Sequence, residues 1–221
     1  MPLPRDLIAQ PRRERGVFLL LGVSGSGKGS VSEALLKRGA ITAHASMGAW
    51  LREAMLDPAT LESTLAALQP AEFATPLEYL RHCVLRGLLI PDAWTQAVID
   101  SRLAVAPLGC WALDGYPRTV GAAQHLVRAL EAAGIALLGA VHLRVSDDLA
   151  IQRLLARGRT DDQVAAILER LGFYRSSVLP TLEWLGAQGV AVAEIAAEPT
   201  LELVVNEVER VLEGWREKAR T

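Results

Sequence analysis

The sequence has little cysteine, and its thiols follow no disulfide or metal-binding pattern. The two cysteines, Cys83 and Cys110, lie in apolar surroundings, form no CxxC pair and have no histidine at zinc-ligand spacing. We therefore expect buried free thiols, a reducing compartment and no zinc. The four scattered histidines are His44, His82, His125 and His142. We expect structural rather than catalytic roles for them.

An excess of positive charge and long hydrophobic runs are also missing. The formal net charge is −2, from 23 Lys plus Arg against 25 Asp plus Glu. No general basic field therefore attracts nucleic acid, and any anion site must be local. The first apolar run, residues 17–23, is too short to cross a membrane, and residues 1–15 lack the apolar stretch of a signal peptide. We expect an N-terminal tail at 1–15 and one cytoplasmic domain at 16–221, monomeric and without nucleic-acid or membrane partners.

Short apolar runs alternate with longer amphipathic ones, which is typical of a parallel sheet covered by helices on both faces. Strands are predicted at 17–23, 40–43, 110–113, 139–145 and 190–195. Helices are predicted at 28–38, 92–104, 120–133, 147–157 and about 161–186, and again after Thr200. Ser146 and either Thr160 or Asp161 are expected to cap two of them.

A helical region at about 48–86 interrupts this alternation. Asp57-Pro58 and Thr75-Pro76 have the pattern of a capping residue followed by proline at the first helical position. Thr75 and Glu78 fit a capping box, and Gly87 is expected to end the run. No strand is predicted within this region.

The strongest motif is the glycine-rich segment Gly22-Val-Ser-Gly-Ser-Gly-Lys28-Gly-Ser30, between the first predicted strand and helix. This is the setting of a phosphate-binding loop, or P-loop. Glycines let the backbone curl so that N–H groups face phosphate oxygens, and the helix N-terminus adds partial positive charge. Lys28 can then reach the β- and γ-phosphates of a nucleotide. The alternative is a glycine-rich turn without a ligand, which the lysine, strand and helix together disfavour.

A second motif, Asp114-Gly-Tyr-Pro-Arg118-Thr119, follows the predicted strand 110–113. The carboxyl ends of parallel strands form the ligand-binding edge of an open α/β sheet. Asp114 is therefore placed to hold Mg²⁺ through water, because this ion keeps most of its hydration shell. The alternative is an ordinary turn between a strand and a helix.

Several arginines cluster late in the chain. Arg153 and Arg157 are four residues apart and share a helix face, Arg159 follows at once, and Arg170 lies on the next predicted helix. A single arginine is most often a solvated surface group. Arginines that converge on one junction in a protein with a P-loop indicate a clamp for triphosphate charge.

Together these motifs resemble the adenylate kinase family of nucleoside monophosphate kinases, from Gly16 to about Val211. The Gly-Lys-Gly-Ser form of the P-loop and the Asp-Gly-Tyr-Pro-Arg-Thr segment carry the resemblance. Further matches are the segment from Ser46 to Arg52, the segment from Gly87 to Asp92, and the late arginines. The resemblance implies transfer of the γ-phosphoryl group of ATP, with Mg²⁺, to a nucleoside monophosphate.

The family also implies a fold. It is a three-layer α/β P-loop NTPase fold, with a five-stranded parallel sheet and helices on both faces. Residues 16–45 and 90–221 would form the core. Residues from about 46 to 89 would form a helical acceptor-binding insert, and residues from about 157 to 162 a very short lid.

Site residues follow from the same resemblance. ATP would contact Gly25, Ser26, Gly27, Lys28, Gly29, Ser30 and Arg153. The acceptor would contact Ser46, Met47, Arg52, Ile90, Gly115, Arg118 and Ala122. Ser30 and Asp114 would hold Mg²⁺, through water. Catalysis would rest on Lys28, Arg118, Arg157, Arg159 and Arg170, because positioning and charge stabilisation carry such a reaction without a covalent intermediate.

This chain departs from the family pattern mainly in the acceptor half. Met47 and Ala49 replace a polar and an acidic residue, and Ala122 replaces the glutamine that contacts adenine. Only Gly158 separates Arg157 from Arg159, which leaves almost no lid. We expect an intact donor half and an altered base pocket. A kinase of another small-molecule acceptor, and a nucleotide-binding protein with little turnover, stay open as alternatives.

Overall fold

A computed structural model describes residues 15–56 and 72–218 and contains a five-stranded, all-parallel sheet in the order β2-β3-β1-β4-β5. The strands are β1 (Arg15–Gly22), β2 (Ala43–Ser46), β3 (Gly109–Asp114), β4 (Ala136–Arg144) and β5 (Val192–Ala196). The predicted sheet is thereby confirmed. The crossovers bring the carboxyl ends of β1, β2 and β3 side by side, with Asp114 in register with Ser46 and Leu20.

Helices connect the strands and cover the sheet. In the described residues they are α1 (Lys28–Lys37), α2 (Met47–Leu56), α3 (Pro76–Arg86), α4 (Asp92–Leu103), α5 (Val120–Ala132), α6 (Asp147–Arg157), α7 (Val164–Phe173), α8 (Leu179–Ala187) and α9 (Leu201–Lys218). A π-helical turn, Tyr174–Val178, joins α7 to α8. The predicted helix start at Asp57-Pro58 lies outside the described residues.

The core has one layer on each face of the sheet. On β1, Val17, Leu19 and Leu21 pack into one apolar cluster, whereas Phe18 and Leu20 pack into another. All five side chains are at most 1% exposed, which explains why the strand is an unbroken apolar run. Cys83 is buried as predicted, whereas Cys110 is only half-buried, and both thiols are free. No helix in the described ranges is long and apolar enough to span a membrane.

The capping pattern of α3 is confirmed. The hydroxyl of Thr75 accepts a hydrogen bond from the backbone N–H of Glu78 at 3.2 Å, and the Glu78 carboxylate accepts one from the N–H of Ala74 at 3.0 Å. Gly87 ends the helix with a φ of 71°. A Cβ on Gly87 would lie 2.3 Å from the carbonyl oxygen of Ala166, so only glycine allows α3 to approach α7 this closely.

Several predicted element boundaries are wrong. The fourth strand was expected at 139–145 but spans Ala136–Arg144. The second strand was expected at 40–43 but begins at Ala43, because the N–H of Ala40 still bonds to the carbonyl of Leu35 and closes the end of α1. The long helix expected from residue 161 begins at Val164, after Gln163. It is also not uniform, since Pro180 cannot donate a backbone hydrogen bond and a π-helical turn precedes it.

Other caps and boundaries differ in detail. Ser146 precedes α6 as expected, but its hydroxyl makes no capping hydrogen bond. Thr200 immediately precedes α9, and its carbonyl accepts a hydrogen bond from the N–H of Val204 at 3.2 Å. The limits expected for the acceptor-binding insert, at about 46–89, and for the lid, at about 157–162, stay predictions.

Candidate active site

The P-loop curls between β1 and α1. A Cβ on Gly25 would lie 2.6 Å from the carbonyl oxygen of Ala150, so a larger residue cannot occupy this turn. The Nζ atom of Lys28 donates to the carbonyl oxygens of Gly22 and Val23, both at 2.9 Å. The ammonium group is thus folded over the loop, where phosphate oxygens can replace the carbonyls as its acceptors.

Lys28 lies within a field of mixed charge. Burial lowers the pKa of its ammonium group, and nearby Arg118 and Arg157 lower it further, whereas Asp114 opposes the shift. The net direction is downward. A bound triphosphate adds negative charge beside this group and therefore favours its charged form.

Asp114, at the end of β3, is the acidic residue whose charge acts on the P-loop lysine, and it is 9% exposed. Its Oδ2 atom lies 3.5 Å from Nε2 of His44, and its buried Oδ1 has no hydrogen-bond partner among the described residues. Burial alone would raise the pKa of Asp114. The contact with His44 and the charges of Lys28 and Arg118 outweigh burial, so the pKa is lowered and the carboxylate is anionic.

An anionic carboxylate with an unsatisfied oxygen fits a hydrated Mg²⁺ ion. The exposed hydroxyl of Ser30, on the first turn of α1, lines the same cleft. Among the described residues, no group of three or more Asp, Glu, His or Cys side chains could hold a metal. Asp114 and Ser30 are therefore the residues that would hold the ion, with water and nucleotide oxygens as its other ligands.

A cluster of arginines faces the P-loop. Asp162 accepts two hydrogen bonds from Arg157, at 2.9 and 2.7 Å, and one from the backbone N–H of Arg159 at 3.2 Å. Arg170 donates to Asp161 at 2.6 Å and to Asp162 at 3.3 Å. The expected helix cap at residue 161 is thus wrong, since both aspartates bind arginines instead. We call Arg157, Arg159 and Arg170 the arginine cluster.

The remaining arginines surround the cleft at other points. Arg153 donates to the carbonyl of Ala197 at 3.0 Å and lies 3.5 Å from that of Gly25, so it links the P-loop to the segment after β5. Nε of Arg118 donates to the carbonyl of Gly115 at 2.8 Å. Arg52 lines the same cleft as the arginine cluster, and burial, followed by the charge of nearby Arg159, lowers the pKa of its guanidinium.

Most of these groups line one cleft of about 760 Å³, whereas Asp162 lies behind the arginines and does not line it. The predicted site residues that it brings together are Gly25, Ser26, Gly27, Lys28, Gly29, Ser30, Ser46, Arg52, Ile90, Asp114, Gly115, Arg118, Arg153, Arg157, Arg159 and Arg170. A cleft of this size that joins a P-loop to an arginine cluster can bind a nucleotide triphosphate with room for a second, anionic substrate.

The sequence matches known proteins of one family. A family model described as adenylate kinase matches residues 20–190. This chain belongs to the adenylate kinase family. The adenylate kinases of Prochlorococcus marinus (strain NATL2A) and Parasynechococcus marenigrum (strain WH8102) are each 31% identical to it, over 88% of this chain and 97% of theirs. The adenylate kinase of Corynebacterium aurimucosum is 34% identical over 84% of this chain and 92% of its own. The chain is an ATP-dependent nucleoside monophosphate phosphotransferase.

Two residues expected at the family's acceptor site lie elsewhere. Met47 and Ala122 are each 1% exposed, belong to the apolar core and do not line the cleft. The carbonyl of Ala122 accepts a hydrogen bond from the hydroxyl of Tyr116 at 3.2 Å. A glutamine at position 122 would have to place its amide in this core, which is unfavourable unless the amide is hydrogen-bonded there.

Other cleft residues escaped the sequence analysis. They include His44 beside Asp114, the apolar residues Leu51, Val84, Leu88 and Leu201, and Phe173 beneath Arg118. The four apolar ones are of residue types that usually fill a core, so sequence offers no sign that they face a ligand. His44 becomes visible only through the register of β2 against β3, which brings its ring to the carboxyl end of the sheet.

Proposed function

We propose that this member of the adenylate kinase family phosphorylates nucleoside monophosphates with little choice among bases. The observation that carries the proposal is the composition of the acceptor end of the cleft. The cleft that Arg52 and Arg118 line is also lined by five apolar residues, which we call the acceptor wall: Leu51, Cys83, Val84, Leu88 and Ile90. Charge is thus available for a phosphate, whereas the wall offers a base one thiol and otherwise only hydrocarbon side chains.

The donor end supplies the groups for phosphoryl transfer. The P-loop N–H groups and Lys28 would bind the β- and γ-phosphates, and the arginine cluster would surround the group in transfer. When bound, Mg²⁺ would neutralise charge on the β- and γ-phosphate oxygens. An acceptor phosphate oxygen held by Arg52 and Arg118 attacks the γ-phosphorus, and the bond to the β–γ bridging oxygen breaks, which leaves ADP.

The arginine cluster already has anionic partners. Asp161 and Asp162 are 9% and 6% exposed and accept hydrogen bonds from Arg157 and Arg170. Contact with Arg157 and Arg170 lowers the pKa of Asp162 although its burial opposes this shift. Both aspartates can hold the arginines in place before the nucleotide arrives, so that the cluster needs little rearrangement when phosphate charge enters.

Base selectivity depends on what the acceptor wall can hydrogen-bond. A site built to bond a polar group rejects an analogue that lacks it by up to about 10⁴–10⁵, whereas an apolar pocket discriminates by only about 10–200-fold per methylene. The acceptor wall is of the second kind. We therefore expect phosphate, rather than the base, to contribute most of the acceptor's binding.

The direct test is kcat/KM for AMP, CMP, UMP, GMP and dAMP with saturating Mg·ATP. We expect all five values to fall within about a hundredfold range, as an apolar pocket allows. A preference for AMP above about a hundredfold would show that the adenine is bound by polar groups outside the acceptor wall. Absence of transfer to any of the five would point to a different acceptor or to a nucleotide-binding role.

A matched pair of variants sharpens this test. Leu88 lines the cleft and is half-buried, whereas Leu85 is 51% exposed and does not line it. Leu88→Gln places an amide on the acceptor wall and should widen the spread of kcat/KM among the five monophosphates by about tenfold. Leu85→Gln should leave the spread unchanged. Equal effects of the two variants would show that the acceptor wall does not determine base selectivity.

The remaining sequence-based expectations stay predictions. They are Mg²⁺ as the metal, no zinc, no nucleic-acid partner, a monomer, and a cytoplasmic location. We infer Mg²⁺ from the fit of Asp114 and Ser30 to a hydrated ion. Metal analysis of the purified protein and transfer assays with and without EDTA would test this.

A further inference from the structure

Phe173, the last residue of α7, lies against Arg118 in the cleft. The guanidinium carbon of Arg118 is 5.5 Å from the centroid of the Phe173 ring, which is within cation–π range. Nε of Arg118 donates to the carbonyl of Gly115 at 2.8 Å. In the described part of the chain, no residue accepts a hydrogen bond from the terminal nitrogens of Arg118. One edge and one face of the guanidinium are thus occupied, and its terminal N–H groups stay available to a ligand.

The position of Phe173 is itself held from behind. Tyr174, the first residue of the π-helical turn, makes a short hydrogen bond through its hydroxyl to Nε2 of His142 on β4. Nδ1 of His142 lies 3.3 Å from the Glu194 carboxylate, and the His142 side chain is 3% exposed. A buried strand residue therefore holds the turn that directly follows Phe173.

The protonation states in this contact follow from its chemistry. Hydrogen bonding to His142 lowers the pKa of Glu194, so its carboxylate is charged and accepts from Nδ1–H. Burial lowers the pKa of His142 and raises that of Tyr174, so a neutral imidazole and an intact hydroxyl are favoured. Nε2 then accepts the Tyr174 hydrogen bond. The imidazole is therefore neutral, donates a hydrogen bond at Nδ1 and accepts one at Nε2, so both of its contacts have a defined direction.

We propose that Phe173 is a positioning residue for Arg118, and that the Tyr174–His142 hydrogen bond holds Phe173 in place. This rests on the proposed function in one respect, namely that Arg118 binds the acceptor phosphate. The ring face limits the tilt of the guanidinium while the Gly115 carbonyl limits its rotation. Arg118 is therefore ordered before the acceptor enters, and less orientational freedom is lost on binding.

The first experiment compares Phe173→Leu with Phe173→Tyr. Leucine retains apolar volume without a ring face, whereas tyrosine keeps the ring. We expect Phe173→Leu to raise KM for the best acceptor of the wild-type protein by about threefold to thirtyfold, the range of a cation–π contact. KM for ATP should not change, and Phe173→Tyr should stay close to wild type. An acceptor KM within twofold of wild type for Phe173→Leu, or an equal rise in KM for ATP, would overturn the proposal.

A second experiment tests the anchor. Tyr174→Phe removes the hydroxyl and should raise the same acceptor KM by a smaller factor than Phe173→Leu does. If Tyr174 acts through Phe173, the double variant should match Phe173→Leu, because the effects of residues that act in sequence are not additive. A double variant with the product of the two single effects would show that Tyr174 acts independently. The thermal unfolding midpoint of each variant should equal that of wild type. An unchanged midpoint shows that a higher KM comes from altered positioning and not from loss of the fold.

A third measurement separates this proposal from the proposed function. In an Arg118→Ala background, Phe173→Leu should have no further effect on the acceptor KM. If it does, Phe173 acts on the acceptor without Arg118. Base selectivity does not enter these tests, since each uses the acceptor that the wild-type protein prefers. A wild-type protein without transfer to any monophosphate would instead contradict the proposed function.

Discussion

The donor end of the cleft is lined by polar and charged groups, whereas the acceptor wall is lined by apolar side chains. At the donor end, backbone N–H groups, Lys28 and the arginine cluster surround a space that suits phosphate charge. The acceptor wall consists of apolar side chains from α2 and α3 and the segment that follows α3. The cationic side chains at both ends favour a phosphate group, whereas the apolar acceptor wall can pack against many flat molecules. Under the function proposed above, the cleft is therefore strict about the donor group and permissive about the acceptor base.

Removal of the central cation should have the largest effect at the donor end. Lys28→Ala should lower kcat/KM by at least about 10²–10³-fold, the loss typical of one transition-state donor. Lys37→Ala is the control, because Lys37 lies on the same helix and does not line the cleft. Circular dichroism should show both variants folded. Near-normal turnover of Lys28→Ala would mean that the γ-phosphate lies away from the P-loop.

The joint between the two ends can be tested at Gly87, where α3 meets α7. Gly87→Ala should lower the free energy of unfolding by about 3 kcal/mol, from a left-handed backbone together with a clash against the Ala166 carbonyl. Gly134→Ala provides the control, since Gly134 has a φ of 66° and a Cβ there meets nothing within 4 Å. It should cost only about 1–2 kcal/mol. Urea unfolding measures both, and equal losses would mean that the contact with α7 adds nothing.

Neutralisation of Asp162 should weaken the arginine cluster. Asp162→Asn removes a charged partner of Arg157 and Arg170 and should cost about 2 kcal/mol in the free energy of unfolding. Folding lowers the pKa of Asp162. Its stabilisation is therefore complete above the unfolded pKa of about 3.9 and is lost as the pH falls through the lower folded pKa.

The pH dependence of the free energy of unfolding tests whether the effect of Asp162→Asn comes from loss of the carboxylate charge. Urea unfolding should be measured between pH 3 and pH 7, which extends from about one unit below to three units above the unfolded pKa. As the pH falls, the free energy of unfolding should decrease more steeply in wild type than in Asp162→Asn. Asp114 also has a lowered pKa, so some acid loss should persist in the variant. Identical slopes in the two proteins would indicate that Asp162 does not hold the arginines in solution.

The smallest effect is expected from the short connection between α6 and α7. Residues 158–163 form only a turn there, so no extended flap covers the donor end in the described residues. Closure would then depend on tilting of the flanking helices, and water should reach the γ-phosphate more easily. We predict measurable ATP hydrolysis without acceptor, suppressed when an acceptor is added. Hydrolysis undetectable beside the transfer rate would contradict this.

Much of the donor end was predictable because its residues are neighbours in the chain. The P-loop and the Asp114–Thr119 segment are contiguous, and glycine spacing and strand ends place them without knowledge of distant packing. The start and end of α3 were equally local, since Thr75, Glu78 and Gly87 act within one turn of their own helix.

The tertiary structure decided what depends on partners far apart in sequence. Aspartate is a preferred residue at helix N-caps, yet Asp161 binds Arg170 instead. This contact depends on the packing of α6 against α7. Met47 and Ala122 are expected at the acceptor site from the family resemblance, but both are buried in the core. Phe173 reaches Arg118 from the end of α7, and His44 reaches the cleft through the register of β2 against β3. Local chemistry determines which loops can bind phosphate, whereas the packing of whole elements determines which side chains surround it, because those contacts form only when distant segments meet.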